Sequence, residues 1–272
     1  MNDGQGGNDA PPRSIGGLAT DSYGRDDDRA PLVLVHGLTY DRRQWDPVLR
    51  ELAALDPDRR VLRMDLPGHG GSPGRDSYDI AEVAGVIHEA VTAVGLEAPV
   101  LVGHSLGGVI ATVYAARYPA RGVVNVDQPL LVGGFGDLLR RVEPVLRGPD
   151  WQQVWDGMTA RMGIDQLPPD AREMVRTQTT FRQELLLGYW NEVLVQSAEE
   201  IGQQRTRDLD AIRDRGIGYD YVTGSDPNPA YRSWLESALP HVRITVLAGA
   251  GHFPHLAHPA DVARILTGSG QS

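Results

Sequence analysis

Val100-Leu101-Val102-Gly103-His104-Ser105-Leu106-Gly107-Gly108 reads as a buried strand that runs into a helix through a glycine-flanked turn. Its first residues form a continuous apolar run, which suits a parallel strand covered on both faces. Leu106 to Tyr118 reads as a helix that ends before Pro119. The G-x-S-x-G pattern between them requires a turn so tight that Ser105 takes a strained backbone conformation and projects its hydroxyl from the sheet edge. Gly103 and Gly107 remove side chains that would collide there. Ser105 then stands at a helix N-terminus, where free N–H groups and the helix dipole stabilise developing negative charge. The chain has 32 glycines, so the bare pattern can arise by chance. The strand before it and the helix after it are what give it meaning.

The same alternation extends in both directions. Upstream, Pro31 to Gly37 and Arg60 to Leu66 read as strands, with Asp41 to Leu55 as a helix between them. That helix carries Trp45, Val48, Leu49, Leu52 and Leu55 at helical spacing. Ile80 to Leu96 follows as an amphipathic helix, and Arg13 to Tyr23 is expected to supply one or two edge strands. Downstream, Gly122 to Val126, Gly218 to Thr223 and Val242 to Leu247 read as strands, and Ala230 to Leu239 and Ala260 to Leu266 as helices. Strands alternating with helices of this length imply parallel βαβ units and a doubly wound, mostly parallel sheet.

The rhythm breaks after Asp127. From Pro129 to about Gly216 the segments read as helical, with three of the five tryptophans, Trp151, Trp155 and Trp190. The expected organisation is a disordered tail over 1–12, an α/β core over 13–128 and 217–272, and a helical cap over 129–216.

Composition narrows the function classes. The 272 residues carry a formal net charge of -10, which disfavours a phosphate-binding surface and makes nucleic acid an unexpected partner. With no cysteine, thiolate catalysis, disulfides and zinc-thiolate sites are excluded. No apolar run approaches the length that spans a bilayer. The first residues lack the basic start and apolar stretch of a signal peptide, so a cytoplasmic location is expected.

A serine nucleophile needs a base. His252, in Ala248-Gly249-Ala250-Gly251-His252-Phe253-Pro254, follows the last strand in a loop able to bring the imidazole over the sheet edge. His255 and His258 make an H-x-x-H-x-x-H run with it. As a metal site that run lacks a carboxylate and would consume the histidine the serine needs, so neither metal nor cofactor is expected. The acid is open between two aspartates. Asp226, in Val222-Thr223-Gly224-Ser225-Asp226-Pro227, follows a strand end and is favoured, with Asp127, at the end of the preceding strand, as the alternative. Either can instead cap local N–H groups in a turn. The tetrahedral oxyanion calls for backbone donors, expected at Leu106 and, after His36-Gly37, at Leu38. His36 and the loop Asp65 to Ser72 (DLPGHGGS) read as bracing for the site.

His36-Gly37, DLPGHGGS, Gly103 to Gly107 and Gly251-His252 together resemble the α/β-hydrolase superfamily, over about Pro31 to Leu266. The likeness is to its capped members, which include esterases, lipases, lactonases, C–C bond hydrolases and cofactor-free haloperoxidases. It implies an α/β-hydrolase fold with a cap insertion, a Ser-His-Asp triad and the oxyanion loop. The family's acid commonly stands in G-x-x-D, whereas Gly224-Ser225-Asp226 is one residue shorter, which keeps Asp127 in play. The implied activity is cleavage of an ester-like bond in a small apolar substrate through an acyl-enzyme on Ser105. C–C cleavage, acyl transfer to an alcohol or peroxide, and ligand binding without catalysis are the alternatives. Trp151, Trp155 and Trp190 are candidate pocket residues, although packing the cap against the core would equally account for them. The oligomeric state is not readable.

Overall fold

The computed structural model describes residues 13–177 and 180–270, so the expected disordered tail lies outside the described residues. The short apolar runs become strands: β1 (Arg13–Ile15), β2 (Leu18–Tyr23), β3 (Leu32–Val35), β4 (Val61–Met64), β5 (Val100–His104), β6 (Gly122–Val126), β7 (Gly218–Thr223) and β8 (Arg243–Val246). They form one eight-stranded sheet in the order β1-β2-β4-β3-β5-β6-β7-β8. The β1–β2 and β2–β4 pairings are antiparallel and the rest are parallel.

The core helices are α1 (Asp46–Leu55), after a 3-10 turn over Arg42–Trp45, then α2 (Ile80–Ala93) and α3 (Leu106–Arg117). Between β6 and β7 stands a helical insertion: α4 (Gly133–Leu146), α5 (Gln152–Thr159), α6 (Pro169–Thr177), α7 (Gln183–Tyr189), α8 (Asn191–Val195) and α9 (Ala198–Asp214). The chain closes with α10 (Pro229–Ala238), α11 (Pro254–Ala257) and α12 (Pro259–Gly268). Local chemistry sets several starts. Asp79 accepts from the N–H groups of Ala81 and Glu82 to open α2, and Ser197 with Glu200 forms a capping box on α9.

Both faces of the central strands β3, β4, β5 and β6 are dry, as expected of parallel strands that read as largely apolar runs. In β3, Leu32 and Leu34 join Trp45, Val48, Leu52 and Val262 on the face covered by α1 and α12. Val33 and Val35 point the other way, into the core shared with α2, α3 and the insertion. These side chains are fully buried, and each contributes about 1.5–3 kcal/mol by leaving water. No helix among the described residues is long and apolar enough to cross a membrane.

Topology locates the crevice. From β3 the chain moves outward to β4, then returns to place β5 on the other side of β3. Such a reversal opens a cleft at the carboxyl ends of the strands. The segments that leave β3 and β5 at that end carry Gly37-Leu38 and Ser105.

Candidate active site

The turn between β5 and α3 carries the strain that the sequence pattern demands. Ser105 has φ 51° and ψ −125°, a conformation that costs a non-glycine residue on the order of 1–3 kcal/mol. The strain is tolerated because the turn is over-determined. The Ser105 N–H donates to the Val126 carbonyl at 3.0 Å, and the Gly108 N–H donates to the Ser105 carbonyl at 2.7 Å. A Cβ on Gly103 would lie 2.0 Å from the Gly107 carbonyl oxygen, so only glycine fits this bend. Leu106 is the first residue of α3, and its N–H therefore has no helical acceptor.

The bond from Ser105 to Val126 ties the turn to the end of β6, and the next residue is Asp127. Asp127 also has positive φ, 56°, and its N–H donates to the Val222 carbonyl at 2.7 Å. Asn125 shapes this exit: its amide donates to the Gln128 carbonyl at 2.9 Å and accepts the Gln128 N–H at 3.2 Å. The result is a carboxylate aimed at the loop after β8. Asp127 Oδ2 receives His252 Nδ1 at 2.8 Å, while Oδ1 receives the Thr223 hydroxyl at 2.8 Å and the Gly224 N–H at 3.1 Å. Burial alone would raise this carboxyl's pKa, but the bonds from His252, Thr223 and Gly224 outweigh it and hold the group below its ordinary value.

Asp226, favoured from sequence, does not reach the imidazole. Its side chain is 85% exposed and pairs with Arg232 at 3.3 Å. The tight turn after β7 spends its inward position on the Gly224 N–H, which faces Asp127, and turns Asp226 outward. The acid that the structure brings to His252 is Asp127.

His252 is held on three sides. Its N–H donates to the Met162 carbonyl of the insertion at 2.9 Å, and its own carbonyl accepts from His104 Nε2 at 2.8 Å. In a neutral imidazole, an Nδ1–H donated to the carboxylate leaves Nε2 free to accept a proton. His104 is fully buried, and burial followed by the neighbouring His255 and His252 holds its pKa well below the ordinary value. His104 faces the His252 peptide rather than the cleft, so it braces the loop that carries His252. The turn geometry directs the His104 ring away from the cleft, but its partner, 148 positions further along the chain, is not visible in the sequence.

The loops around Leu38 are set by two buried histidines. His36 Nε2 accepts the Leu66 N–H at 2.9 Å, and His69 Nε2 accepts the Thr39 N–H at 3.0 Å. Thr39, at φ 73°, follows Leu38. Burial, with a smaller contribution from His36, lowers the His69 pKa to about 3, so the ring stays a neutral acceptor. Asp65 closes DLPGHGGS by accepting the Gly71 and Arg42 N–H groups, each at 2.8 Å. The loop therefore braces the segment that carries Leu38, whose own N–H is not engaged by any acceptor among the described residues.

Ser105, Asp127, His252, Leu38 and Leu106 all line one cavity of about 860 Å³, closed on its far side by the insertion. Trp155 and Trp190 line it, with ring centroids 6.1 Å apart. Trp151 does not; it packs against Phe181 at 4.5 Å. His255, in the H-x-x-H-x-x-H run, is buried between Trp45 and His104, at 4.8 and 4.3 Å, and His258 lies at the surface. Among the described residues, no group of three or more such side chains is placed to hold a metal ion.

The sequence profile of the alpha/beta hydrolase family matches residues 32–265. The chain belongs to the alpha/beta hydrolase family. Curated relatives align over a shorter stretch. RutD of Escherichia coli O127:H6, whose name assigns it carbamate hydrolysis, is 36% identical over 102 residues, 37% of either chain. The bifunctional biotin biosynthesis protein BioHC of Cellvibrio japonicus is 39% identical over 100 residues, 36% of this chain and 18% of its own. The chain thus spans little more than a third of the length of the first of these relatives. Solved structures match nearly throughout. The enol-lactonase of Burkholderia xenovorans LB400 superposes with TM-score 0.72 at 20% identity, covering 94% of this chain and 98% of that one. AqdC, described as recognising and ring-cleaving the Pseudomonas quinolone signal, superposes with TM-score 0.79 at 19% identity, covering 94% and 97%. At such identities these likenesses establish the fold of this family member.

Proposed function

We propose that this hydrolase-family enzyme is a serine hydrolase that cleaves an ester-like bond of a small, largely apolar substrate through an acyl-enzyme on Ser105. The reading rests on one juxtaposition: a strained serine and an imidazole bonded to a buried aspartate, both opening onto one cavity that Leu38 and Leu106 also line. In the reaction, His252 Nε2 takes the Ser105 hydroxyl proton as Oγ bonds to the substrate carbonyl carbon. The imidazolium that forms is stabilised by Asp127. The N–H groups of Leu38 and Leu106 receive the oxyanion. His252 returns the proton to the departing oxygen as the carbon–oxygen bond breaks. Water, deprotonated by the same nitrogen, then releases the acid and restores Ser105.

The test is covalent labelling of Ser105 by a fluorophosphonate, with loss of labelling in Ser105→Ala, together with turnover of chromogenic esters of graded acyl length. Absence of labelling in the folded wild-type protein overturns the reading. Cleavage of a carbon–carbon bond is a second reading. It is favoured by the aromatic wall that Trp155 and Trp190 raise over the cavity. Turnover of a diketone-type substrate without ester turnover would select it.

A further inference from the structure

The insertion side of the cavity holds a charge cluster that acyl transfer leaves unused. Arg205 of α9, its side chain 2% exposed, donates to Asp208 Oδ2 at 2.9 Å and to Glu192 Oε1 at 2.7 Å. Taking three ionised groups out of water is costly, and apolar residues of similar volume would often stabilise the fold as well or better. Such a cluster has a use where one of its members meets a ligand. Glu192 and Arg205 both line the cavity that contains Ser105. Arg205 occupies one oxygen of the Glu192 carboxylate and thereby fixes its orientation. The other oxygen, Oε2, has no partner among the described residues, and it is not among the sealed polar atoms of the interior. The lining of the same cavity includes the apolar Leu131, Val193, Ile201 and Trp190.

We propose that Glu192, oriented by Arg205, selects substrates that carry a hydrogen-bond donor, a hydroxyl or an N–H, on the portion remote from the scissile carbonyl. A carboxylate oxygen in an apolar wall discriminates because an isostere without the donor must strip it of water and return nothing. The inference deepens the serine-hydrolase reading and depends on it.

The experiment measures kcat/KM for chromogenic esters over a series of chain lengths, comparing acyl chains that end in hydroxymethyl, aminomethyl or an isosteric ethyl group. At the chain length that reaches Glu192, a donor-terminated ester is expected to exceed its ethyl counterpart by at least about tenfold. The hydroxyl and amine arms tell which donor is taken. In Glu192→Gln the amide oxygen still accepts from Arg205, and an NH2 replaces the free acceptor. The preference should collapse, and a terminal methyl ether, an acceptor, should gain relative to the hydroxyl. Each value is a ratio from one preparation, so a partly unfolded variant does not distort it. Turnover of ethyl-terminated esters with no donor preference at any length, or a preference retained in Glu192→Gln, overturns the inference and leaves the hydrolase reading standing. No turnover of any ester and no labelling of Ser105 overturns both.

Discussion

Replacing Asp127 by asparagine should separate the chemistry of the site from its architecture. The carboxylate uses its two oxygens differently: Oδ1 accepts from Thr223 and Gly224, and Oδ2 accepts from His252. An asparagine with its carbonyl in the Oδ1 position keeps the first two bonds and presents an NH2 to the imidazole. That NH2 can only donate, so His252 must offer an unprotonated Nδ1 and move its proton to Nε2. The nitrogen proposed to take the Ser105 hydroxyl proton then cannot accept it. The expected loss in kcat is on the order of 10⁴-fold, about 5 kcal/mol of barrier. The fold should lose only about 1–2 kcal/mol, because packing and two of three bonds persist. Asp226→Asn should do neither, since an exposed pair at 3.3 Å contributes about 0–1 kcal/mol. The assay is burst and steady-state turnover of a chromogenic ester, with urea unfolding of the same samples. If Asp127→Asn turns over within tenfold of wild type while Asp226→Asn is crippled, the assignment of the acid is refuted.

Buried histidines predict an acid-sensitive fold. Burial, then the neighbouring His252, lowers the His255 pKa from 6.5 to about 3, and His69 behaves alike. The unfolded chain therefore binds more protons between these values. Stability is complete above about pH 6.5 and should fall by about 1.4 kcal/mol per histidine for each pH unit below it. His255→Leu should remove one such increment from the slope of unfolding free energy between pH 6 and pH 4, and an unchanged slope would contradict the burial argument. Gly224→Ala puts a Cβ 2.0 Å from the Gly251 carbonyl oxygen. It should displace the His252 loop and lower kcat at least about 100-fold, a loss checked by turnover against circular dichroism. Ser105→Ala should abolish burst release of product while leaving substrate binding measurable by fluorescence of the cavity tryptophans.

The parts of this molecule that were legible in its sequence are those whose cause is local. Apolar runs of a few residues, helices with a clear stripe and the glycine-flanked serine all state their conformation within a dozen positions. The strands over Leu32–Val35 and Gly122–Val126 accordingly fall where the pattern put them. The acid was not legible for the opposite reason. Asp127 and Asp226 both follow a strand that ends at the same edge, and the strands before them, β6 and β7, are hydrogen-bonded neighbours. Which carboxylate meets the imidazole is decided by where Gly224 and Thr223 aim their donors, a contact across 97 and 96 positions of chain. The same holds for Glu192 and Arg205, one helix apart in sequence and unremarkable as charges. Only packing the insertion over the sheet turns them inward together. A motif with a steric reason can be read along the chain, whereas a role that depends on the partner a side chain meets has to wait for the fold. This is why Ser105 and His252 could be singled out from spacing as candidates, and the groups proposed to tune them and to choose the substrate could not.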